Sequence, residues 1–460
     1  FVLSFGWYAG TKVAGSDDKN NYYKKSEIFR DVLFYVRNNY VDKEDFTAQS
    51  LIYGAIDGML DTLGDPYSRL MRRDQYNEMK TETNQEFGGL GIYITIKNGD
   101  LTVIAPIEGT PAFEAGLLPG DVIKKIDGEP TKDITKTEQA VDKLRGPKGS
   151  KVRLTIDRAG KTFDVSVTRG EIKIKSVHYT MVSGKEKIGY IKIRNFGKRT
   201  HIEIAKALKD LHKQGMEALL LDLRNNPGGL LRSAFRVADR WVRNGRIVYT
   251  RGRDPDQNKD FKASKKNAES NYPMAVLVNG GSASGSEIVT GALKDHDRAV
   301  VMGDTTFGKG LVQSVYQLED GSALALTTAY YYTPDGHQIQ DKGIPPHIRV
   351  KQSFPDTSVR RDIIDISQEE LVVDFVRKHP DPSNQRINQF IQSLREKGYD
   401  LDRKYIMHRI KKKRMAMEGK NLAADPTTDP QLAHAIKILS KTLDLSPWSV
   451  SKVLARNPEK

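Results

Sequence analysis

The spacing of hydrophobic residues divides most of the chain into four segments of different character. Between residues 23 and 86, apolar residues recur every three or four positions, which predicts an N-terminal helical region. Residues 87–175 combine short apolar runs with glycine turns, a pattern typical of a β-rich domain. Residues 176–353 alternate strand and helix patterns, and residues 354–460 return to helical spacing with many basic side chains. The predicted fold class is therefore α/β, with helical regions at both ends.

The first 22 residues begin with an apolar stretch, residues 1–10, and continue with a polar run. The apolar stretch is too short to span a bilayer. Signal and anchor segments place an apolar run before small residues. We therefore expect the remnant of a signal or anchor segment here, followed by a linker. An arbitrary chain end or a buried strand is the alternative.

Two apolar strands of the predicted α/β core end in glycine-rich turns that lead into helices. The strand 218–223 runs into Arg-Asn-Asn-Pro-Gly-Gly, and the strand 274–278 runs into Asn-Gly-Gly-Ser-Ala-Ser-Gly-Ser-Glu. Because both turns lie between a strand and a helix, we expect them to place backbone N–H groups at the same rim of the sheet. Small residues at a sharp turn allow close approach, which is how a nucleophilic serine is usually presented. The first turn could be a plain turn, but it could also supply donors for an oxyanion.

Ser284 and Glu287, in the second turn, also fit a structural interpretation. The pattern S-x-x-E before an apolar run is a helix capping box. In that arrangement the Ser284 hydroxyl binds the backbone, and Glu287 reaches back to do the same. The local sequence leaves the cap and the nucleophile open, and the choice depends on residues further along the chain.

Lys309, which lies between two glycines, is the strongest candidate for a general base. A lysine in such a turn is usually solvated. Lysine can nevertheless activate a serine if its pKa falls from ~10.4 by roughly 3 units, a change of about 4 kcal/mol. Apolar neighbours could provide the burial, and Gln313 could orient the amine without adding a counter-charge. The competing base, His296, lies roughly 18 Å along the helix from Ser284, which argues against a Ser–His–Asp triad.

Composition excludes several other kinds of chemistry. The 460-residue chain has no cysteine, so disulfides, thiol catalysis and cysteine metal sites are excluded. Its nine histidines include no H-x-x-x-H pair, and we predict no metal and no other cofactor. The formal net charge of +14 fits an acidic neighbour such as an anionic membrane surface, or a basic proteome. No basic stripe with interleaved aromatic residues is present, so nucleic-acid binding is not predicted.

The β-rich segment resembles a PDZ domain. The resemblance rests on the sequence G-G-L-G-I-Y-I at 88–94, the stretch 110–128 and a predicted helix over 135–144. In PDZ domains a glycine-containing loop binds the C-terminal carboxylate of a peptide, which then adds as a strand beside it. On this chain the resemblance implies that the loop consists of Gly89, Leu90, Gly91 and Ile92. The alternative is that these glycines only form a turn.

Four further motifs together resemble the C-terminal processing (tail-specific) peptidases. They are S-A-S-G-S-E-I at 282–288, T-F-G-K-G at 306–310 followed by glutamine at 313, D-L-R-N-N-P-G-G at 222–229, and L-T-T-A-Y-Y-Y-T-P-D-G at 326–336. The resemblance implies that Ser284 is the nucleophile, Lys309 the base and Gln313 its orienting partner. It implies that amides of Gly228 or Gly229 and of Gly285 bind the oxyanion, although Gly285 stands where the family usually has alanine. It also implies a crotonase-like α/β core with an inserted PDZ domain.

The function that this resemblance implies is a serine endopeptidase for protein or peptide substrates with apolar C-termini. It further implies an adaptor or lipoprotein activator, a homodimer or higher oligomer, and a bacterial periplasmic or cell-envelope location with an anchor in the inner membrane. The alternative is a PDZ-based tail-binding scaffold or adaptor whose protease core is dormant. The presence of Ser284, Lys309 and Gln313 together favours the enzyme.

Overall fold

The computed structural model describes residues 3–4, 19–42, 46–97, 99–107, 109–182, 187–351, 357–368, 370–417, 425–445 and 448–456. The chain forms two compact units. The larger unit contains Phe1–Tyr76, Val177–Phe196 and Thr200–Lys460, and the smaller one contains Asn77–Ser176 and Gly197–Arg199.

The secondary structure is mixed, with helices concentrated at the two ends of the chain. The α-helices, in chain order, are α1 (Lys19–Asn39), α2 (Ala48–Asp61), α3 (Arg73–Asn84), α4 (Pro111–Glu114), α5 (Thr137–Leu144), α6 (Thr200–Lys213), α7 (Leu231–Ala238), α8 (Gly285–Asp295), α9 (Thr357–Gln368), α10 (Leu371–Lys378), α11 (Asn384–Glu396), α12 (Arg403–Met417), α13 (Pro430–Ser440) and α14 (Val450–Arg456). The β-strands, in chain order, are β1 (Leu3–Ser4), β2 (Arg69–Met71), β3 (Glu86–Gly89), β4 (Ile92–Lys97), β5 (Asp100–Pro106), β6 (Val122–Ile126), β7 (Glu129–Pro130), β8 (Lys151–Arg158), β9 (Lys161–Thr168), β10 (Gly170–Lys173), β11 (Val177–Met181), β12 (Ile188–Ile193), β13 (Ala218–Asp222), β14 (Arg246–Gly252), β15 (Lys259–Lys262), β16 (Met274–Val278), β17 (Val300–Gly303), β18 (Leu311–Gln317), β19 (Ala323–Tyr332) and β20 (Ile348–Arg349).

The larger unit is built around a sheet with the strand order β11-β12-β13-β16-β17-β20. Neighbouring strands pair in parallel, except that β11 is antiparallel to β12. Every residue of β13 and β16 is buried, as expected for parallel strands that are covered on both faces. Because β13 and β16 are direct parallel neighbours, the turns that follow them lie at the same edge of the sheet.

Two layers of helices bury the two faces of this sheet. Successive side chains of a strand point to opposite faces. Leu219 and Leu221 of β13 therefore belong to a hydrophobic cluster that α6, α7 and α8 complete. Leu220 belongs to a second cluster, completed by side chains of α13 and α14. The C-terminal extension thus provides one of the layers that keep water from the sheet.

A second sheet of the larger unit has the order β1-β18-β19-β14-β15, and β2 pairs with β19. Strands β18 and β19 form an antiparallel pair whose register shifts between Val312 and Gln313. Because β2 pairs with β19, this part of the N-terminal region lies beside the strand that pairs with β18.

The smaller unit contains an antiparallel sheet with the order β4-β5-β6-β8-β9, and β7 pairs with β6. Its hydrophobic core includes Leu101, Ile123, Val152 and Leu154, together with Ala140 and Leu144 of α5. A separate two-stranded ladder joins β3 to β10. The predicted PDZ segment, residues 87–175, lies within this unit.

The helices α9 to α12 pack around a separate cluster that includes Phe375, Ile391, Ile406 and Ile410. The predicted boundary between residues 353 and 354 lies outside the described residues, as does most of the expected anchor remnant at residues 1–22. Within the described ranges, no helix is both long enough and apolar enough to cross a bilayer.

Leu439, which is fully buried on α13, allows a test of the contribution of the C-terminal extension to stability. Truncation of a buried leucine to alanine leaves a cavity and costs about 2–5 kcal/mol. We expect Leu439→Ala to lower the free energy of unfolding of the larger unit by that amount, measured by urea denaturation. Lys437→Ala, at an exposed position of the same helix, should change it by less than about 0.5 kcal/mol. Equal effects of the two substitutions would contradict the packing of α13 on the sheet.

Candidate active site

Ser284 occupies a strained position between β16 and α8. Its φ of 56° and ψ of −109° are unfavourable for a residue with a side chain, and it is fully buried. Its N–H donates to Glu287 Oε2 at 2.7 Å, as a capping box requires. Its hydroxyl has no hydrogen-bond partner of ordinary geometry among the described residues, and the side chain of Tyr331 lies beside it. The capping box therefore accounts for the position of the Glu287 carboxylate, and the Ser284 hydroxyl is left available for chemistry.

The two neighbouring serines connect the two glycine-rich turns. Ser282 Oγ donates to the carbonyl oxygen of Leu223 at 2.8 Å. Ser286 Oγ donates to the carbonyl oxygen of Asn226 at 2.9 Å, and the N–H of Ala283 donates to the same oxygen. These bonds fix the position of the turn after β13 relative to Ser284.

Gly228 lies directly beside Ser284. A Cβ added at Gly228 would lie 2.7 Å from Ser284 Cβ and 2.8 Å from the nitrogen of Gly285, and the φ of Gly228 is 104°. The N–H of Gly228 donates to Asn226 Oδ1 at 2.9 Å. Among the described residues, no acceptor is found for the N–H groups of Gly229 and Gly285. Of the three glycines expected to bind an oxyanion, Gly228 is thus the one whose amide is already engaged.

Glu287 joins the serine turn to the lysine segment. Its fully buried carboxylate accepts from the Ser284 and Lys309 N–H groups through Oε2, at 2.7 and 2.9 Å. Through Oε1 it accepts from Thr306 Oγ1 and the Gly308 N–H, both at 2.7 Å. Burial raises the pKa of Glu287, and the four donors act in the opposite direction. The S-x-x-E spacing predicted only a capping role for this residue.

Lys309 is 7% exposed and lies two residues before the start of β18. Burial lowers the pKa of its amine from 10.5 to about 8, and the positive charge of Arg69 acts in the same direction. The carboxylates of Asp65 and Glu287 oppose this shift. A lysine with such a pKa can lose its proton near neutral pH, as a general base must. The shared oxygen of Glu287 brings the backbones of Ser284 and Lys309 together.

Gln313 lies on β18 and is fully buried. Its Nε2 donates to Thr327 Oγ1 on β19 at 3.3 Å. Its Oε1 is buried and accepts no hydrogen bond from the described residues. An unpaired buried carbonyl oxygen is costly, so this atom can readily accept a hydrogen bond from a donor in the site.

His296 lies at the opposite end of α8 from Ser284, where its ring is within 2.7 Å of the carbonyl oxygen of Arg246. No group of three histidine, aspartate or glutamate side chains suited to a metal ion occurs in the described ranges.

An open cavity of about 780 Å³ lies in the larger unit, lined by residues 63–68, 251–253, 326–330 and 340–341 with Leu311 of β18. This cavity borders the strands that carry Gln313 and Thr327.

In the smaller unit, Gly89, Leu90, Gly91 and Ile92 line a cavity of about 110 Å³ together with side chains of α5. Gly91 has a φ of 77°, and a Cβ there would lie 2.4 Å from Thr110 Cβ, so only glycine fits. The predicted peptide-binding loop thus forms one wall of a groove, and α5 forms the other.

Residues 187–350 match peptidase family S41, residues 102–158 match a PDZ domain, and residues 7–75 match the activating protease CtpB N-terminal domain. The chain is 44% identical over 347 residues to a carboxy-terminal-processing protease of Bartonella bacilliformis, covering 74% of this chain and 78% of that protein. It is 38% identical over 352 residues to a carboxyl-terminal-processing protease of Synechocystis sp., covering 74% and 82%. A solved structure, the photosystem II D1 C-terminal processing protease, matches at 31% identity over 71% of this chain and 93% of that one, with a TM-score of 0.42.

These matches define the class of protein as a serine-type peptidase with a PDZ domain. The chain belongs to the carboxy-terminal-processing proteases of peptidase family S41. The resemblance predicted from the sequence is thereby confirmed.

Gly228→Ala tests whether the space beside Ser284 must remain empty. The added Cβ would collide with Ser284, and the positive φ of Gly228 is unfavourable for alanine. We expect kcat/KM for peptide hydrolysis to fall by about 10²-fold or more, because a nucleophile pushed out of position by about 1 Å loses that much rate. Gly280→Ala is the matched control, because a Cβ there meets nothing within 4 Å. Near-normal turnover of the folded Gly228→Ala protein would contradict this account.

Proposed function

We propose that this carboxy-terminal-processing protease captures protein tails in its PDZ groove and cleaves them through an acyl-enzyme formed on Ser284, with Lys309 as the base. The observation that carries the proposal is the pairing of a strained, buried Ser284 with a buried lysine whose pKa is lowered to about 8. The two residues meet at one oxygen of Glu287.

In the first step of the proposed mechanism, Ser284 Oγ attacks the scissile carbonyl carbon while neutral Lys309 takes the hydroxyl proton. The carbonyl oxygen becomes an oxyanion, which backbone N–H groups stabilise. The amides of Gly229 and Gly285 are the preferred donors, since the Gly228 amide is bound to Asn226. Gly228 can contribute only if that bond opens.

When the tetrahedral intermediate collapses, the ammonium form of Lys309 gives its proton to the leaving amine. Water then attacks the ester on Ser284, and Lys309 takes its proton before returning it to the serine oxygen. Gln313 is proposed to orient the lysine amine through its Oε1, which carries no charge and so raises the pKa of the base less than a carboxylate would. Its fixed contact with Thr327 supports this role.

The tail-binding part of the proposal is supported by the groove between the Gly89–Ile92 loop and α5. Its apolar walls suit substrates with apolar C-termini, and a peptide would add as a strand beside the loop. The crotonase-like core, the adaptor or lipoprotein activator, the homodimer or higher oligomer, the membrane association and the bacterial envelope location are proposed from the family resemblance alone.

The pH dependence of kcat/KM follows from the pKa of Lys309, since only the neutral amine can accept a proton. The pKa is lowered to about 8, so the active form predominates above that pH and is lost as the pH falls. We expect kcat/KM for a peptide substrate to fall about tenfold per pH unit well below the midpoint. A midpoint near that of an ordinary histidine, ~6.5, would point to a different base.

Cleavage of an unfolded model protein with an apolar C-terminus tests both halves of the proposal. Ser284→Ala and Lys309→Ala should each abolish turnover while leaving the folded structure intact, and removal of the last substrate residues should weaken cutting by the unmodified protease. A Lys309→Ala protein with near-normal rates would rule out the proposed base. If the unmodified protein is inert but still binds the tail, the scaffold alternative or a missing activator explains it, and addition of envelope extract separates these two.

A further inference from the structure

A short N-terminal segment, residues 65–71, lies against the proposed base. It is outside the region that matches peptidase family S41, yet it belongs to the same compact unit. The Nζ atom of Lys309 lies 4.3 Å from the centroid of the Tyr67 ring. At this distance an ammonium group is attracted to the face of an aromatic ring.

Hydrogen bonds fix the backbone that carries Tyr67. Asp65 Oδ1 accepts from the Tyr67 N–H at 3.0 Å, and Asp65 Oδ2 accepts from Ser68 Oγ at 2.6 Å. Ser68 Oγ in turn accepts from the N–H of Thr327 at 3.0 Å. From residue 69 the chain continues as β2, which pairs with β19. The ring is therefore held by a tight turn that is attached to a strand of the second sheet.

The same strand residue also holds Gln313. Thr327 donates its N–H to Ser68 and accepts from Gln313 Nε2 through its hydroxyl. The segment that carries Tyr67 and the glutamine proposed to orient Lys309 are thus positioned by one residue. Both would approach the amine without bringing a negative charge to it.

From this geometry we propose that Tyr67 is a positioning residue for Lys309. The face of the Tyr67 ring holds the ammonium form of Lys309 between the two proton transfers of each catalytic half-reaction. The inference rests on the proposed role of Lys309 as the base. A carboxylate at this position would stabilise the ammonium far more strongly and trap the proton, whereas a ring face stabilises it weakly and allows its release.

Several charged or titratable groups act on this pair. The charge of Arg69 on β2 lowers the pKa of Lys309, and the carboxylates of Asp65 and Glu287 raise it. Burial raises the pKa of the Tyr67 phenol, and the charges of Asp341, Asp65 and Glu287 raise it further. The phenol therefore stays neutral where the protease works, and the face of the ring is the part that interacts with the amine.

The test compares Tyr67→Leu with Tyr67→Phe, which keeps the ring. For Tyr67→Leu we expect the midpoint of the pH profile of kcat/KM to move about half a unit to one unit to lower pH, because the ammonium form loses its partner. We also expect the plateau of kcat to fall several-fold with little change in KM. Tyr67→Phe should reproduce the unmodified profile. Thermal denaturation of both variants verifies that they fold.

A second readout does not depend on turnover. In the Ser284→Ala background, the Lys309 amine can be titrated by NMR in protein labelled with ¹⁵N-lysine, with Lys309→Arg used to assign the signal. Its pKa should be lower in Tyr67→Leu than in Tyr67→Phe. An unchanged pKa, a rise in Tyr67→Leu, or equal shifts in both variants would overturn the inference. Because this measurement needs no cleavage, it can fail or succeed independently of the proposed protease mechanism.

Discussion

The candidate active site depends on one buried carboxylate, that of Glu287, and on the four donors around it. Its two oxygens accept from the N–H groups of Ser284, Gly308 and Lys309 and from the hydroxyl of Thr306. Burying a carboxylate without partners is expensive, and four donors satisfy the charged form directly. The same bonds draw two separate segments of the chain to one point. Loss of this carboxylate would leave four buried donors unpaired and release the lysine segment from the serine turn.

The turn that faces Ser284 is held from the opposite side by the C-terminal extension. Arg224, which is 7% exposed, binds Asp222 and Asp429 through both oxygens of each carboxylate, and it also contacts Gln431. Asp429 simultaneously caps α13 by accepting from the N–H of Leu432 at 3.0 Å. The helix that covers one face of the sheet is therefore tied at its first turn to the strand that leads into the proposed oxyanion donors. The extension lies beyond the S41 match, yet it belongs to the structure that supports the site.

Sequence patterns predicted the parts of the site that depend on local order. The apolar runs of β13 and β16 and the glycine turns after them indicated where the rim of the sheet would lie, and the backbone N–H groups of Ser284 and Lys309 share one oxygen of Glu287. Contacts between distant parts of the chain have no such pattern in the sequence and could not be predicted from it. Nothing around Tyr67 indicates that its ring would lie against Lys309, and nothing around Asp429 indicates a partner at Arg224. The hydrogen bond from the Gly228 N–H to Asn226 could not be predicted either, because it depends on a side-chain conformation rather than on residue spacing.

The balance of charge around Lys309 explains how a lysine can have a lowered pKa although two carboxylates lie nearby. The charge of Glu287 is spread over four hydrogen bonds, one of them from the backbone N–H of Lys309. Asp65 is likewise engaged by Ser68 and the backbone of its own turn. Burial and the charge of Arg69 then outweigh what remains of the two negative charges, so the pKa falls to about 8. The carboxylates that hold the site together therefore stabilise the ammonium form of the proposed base less than burial disfavours it.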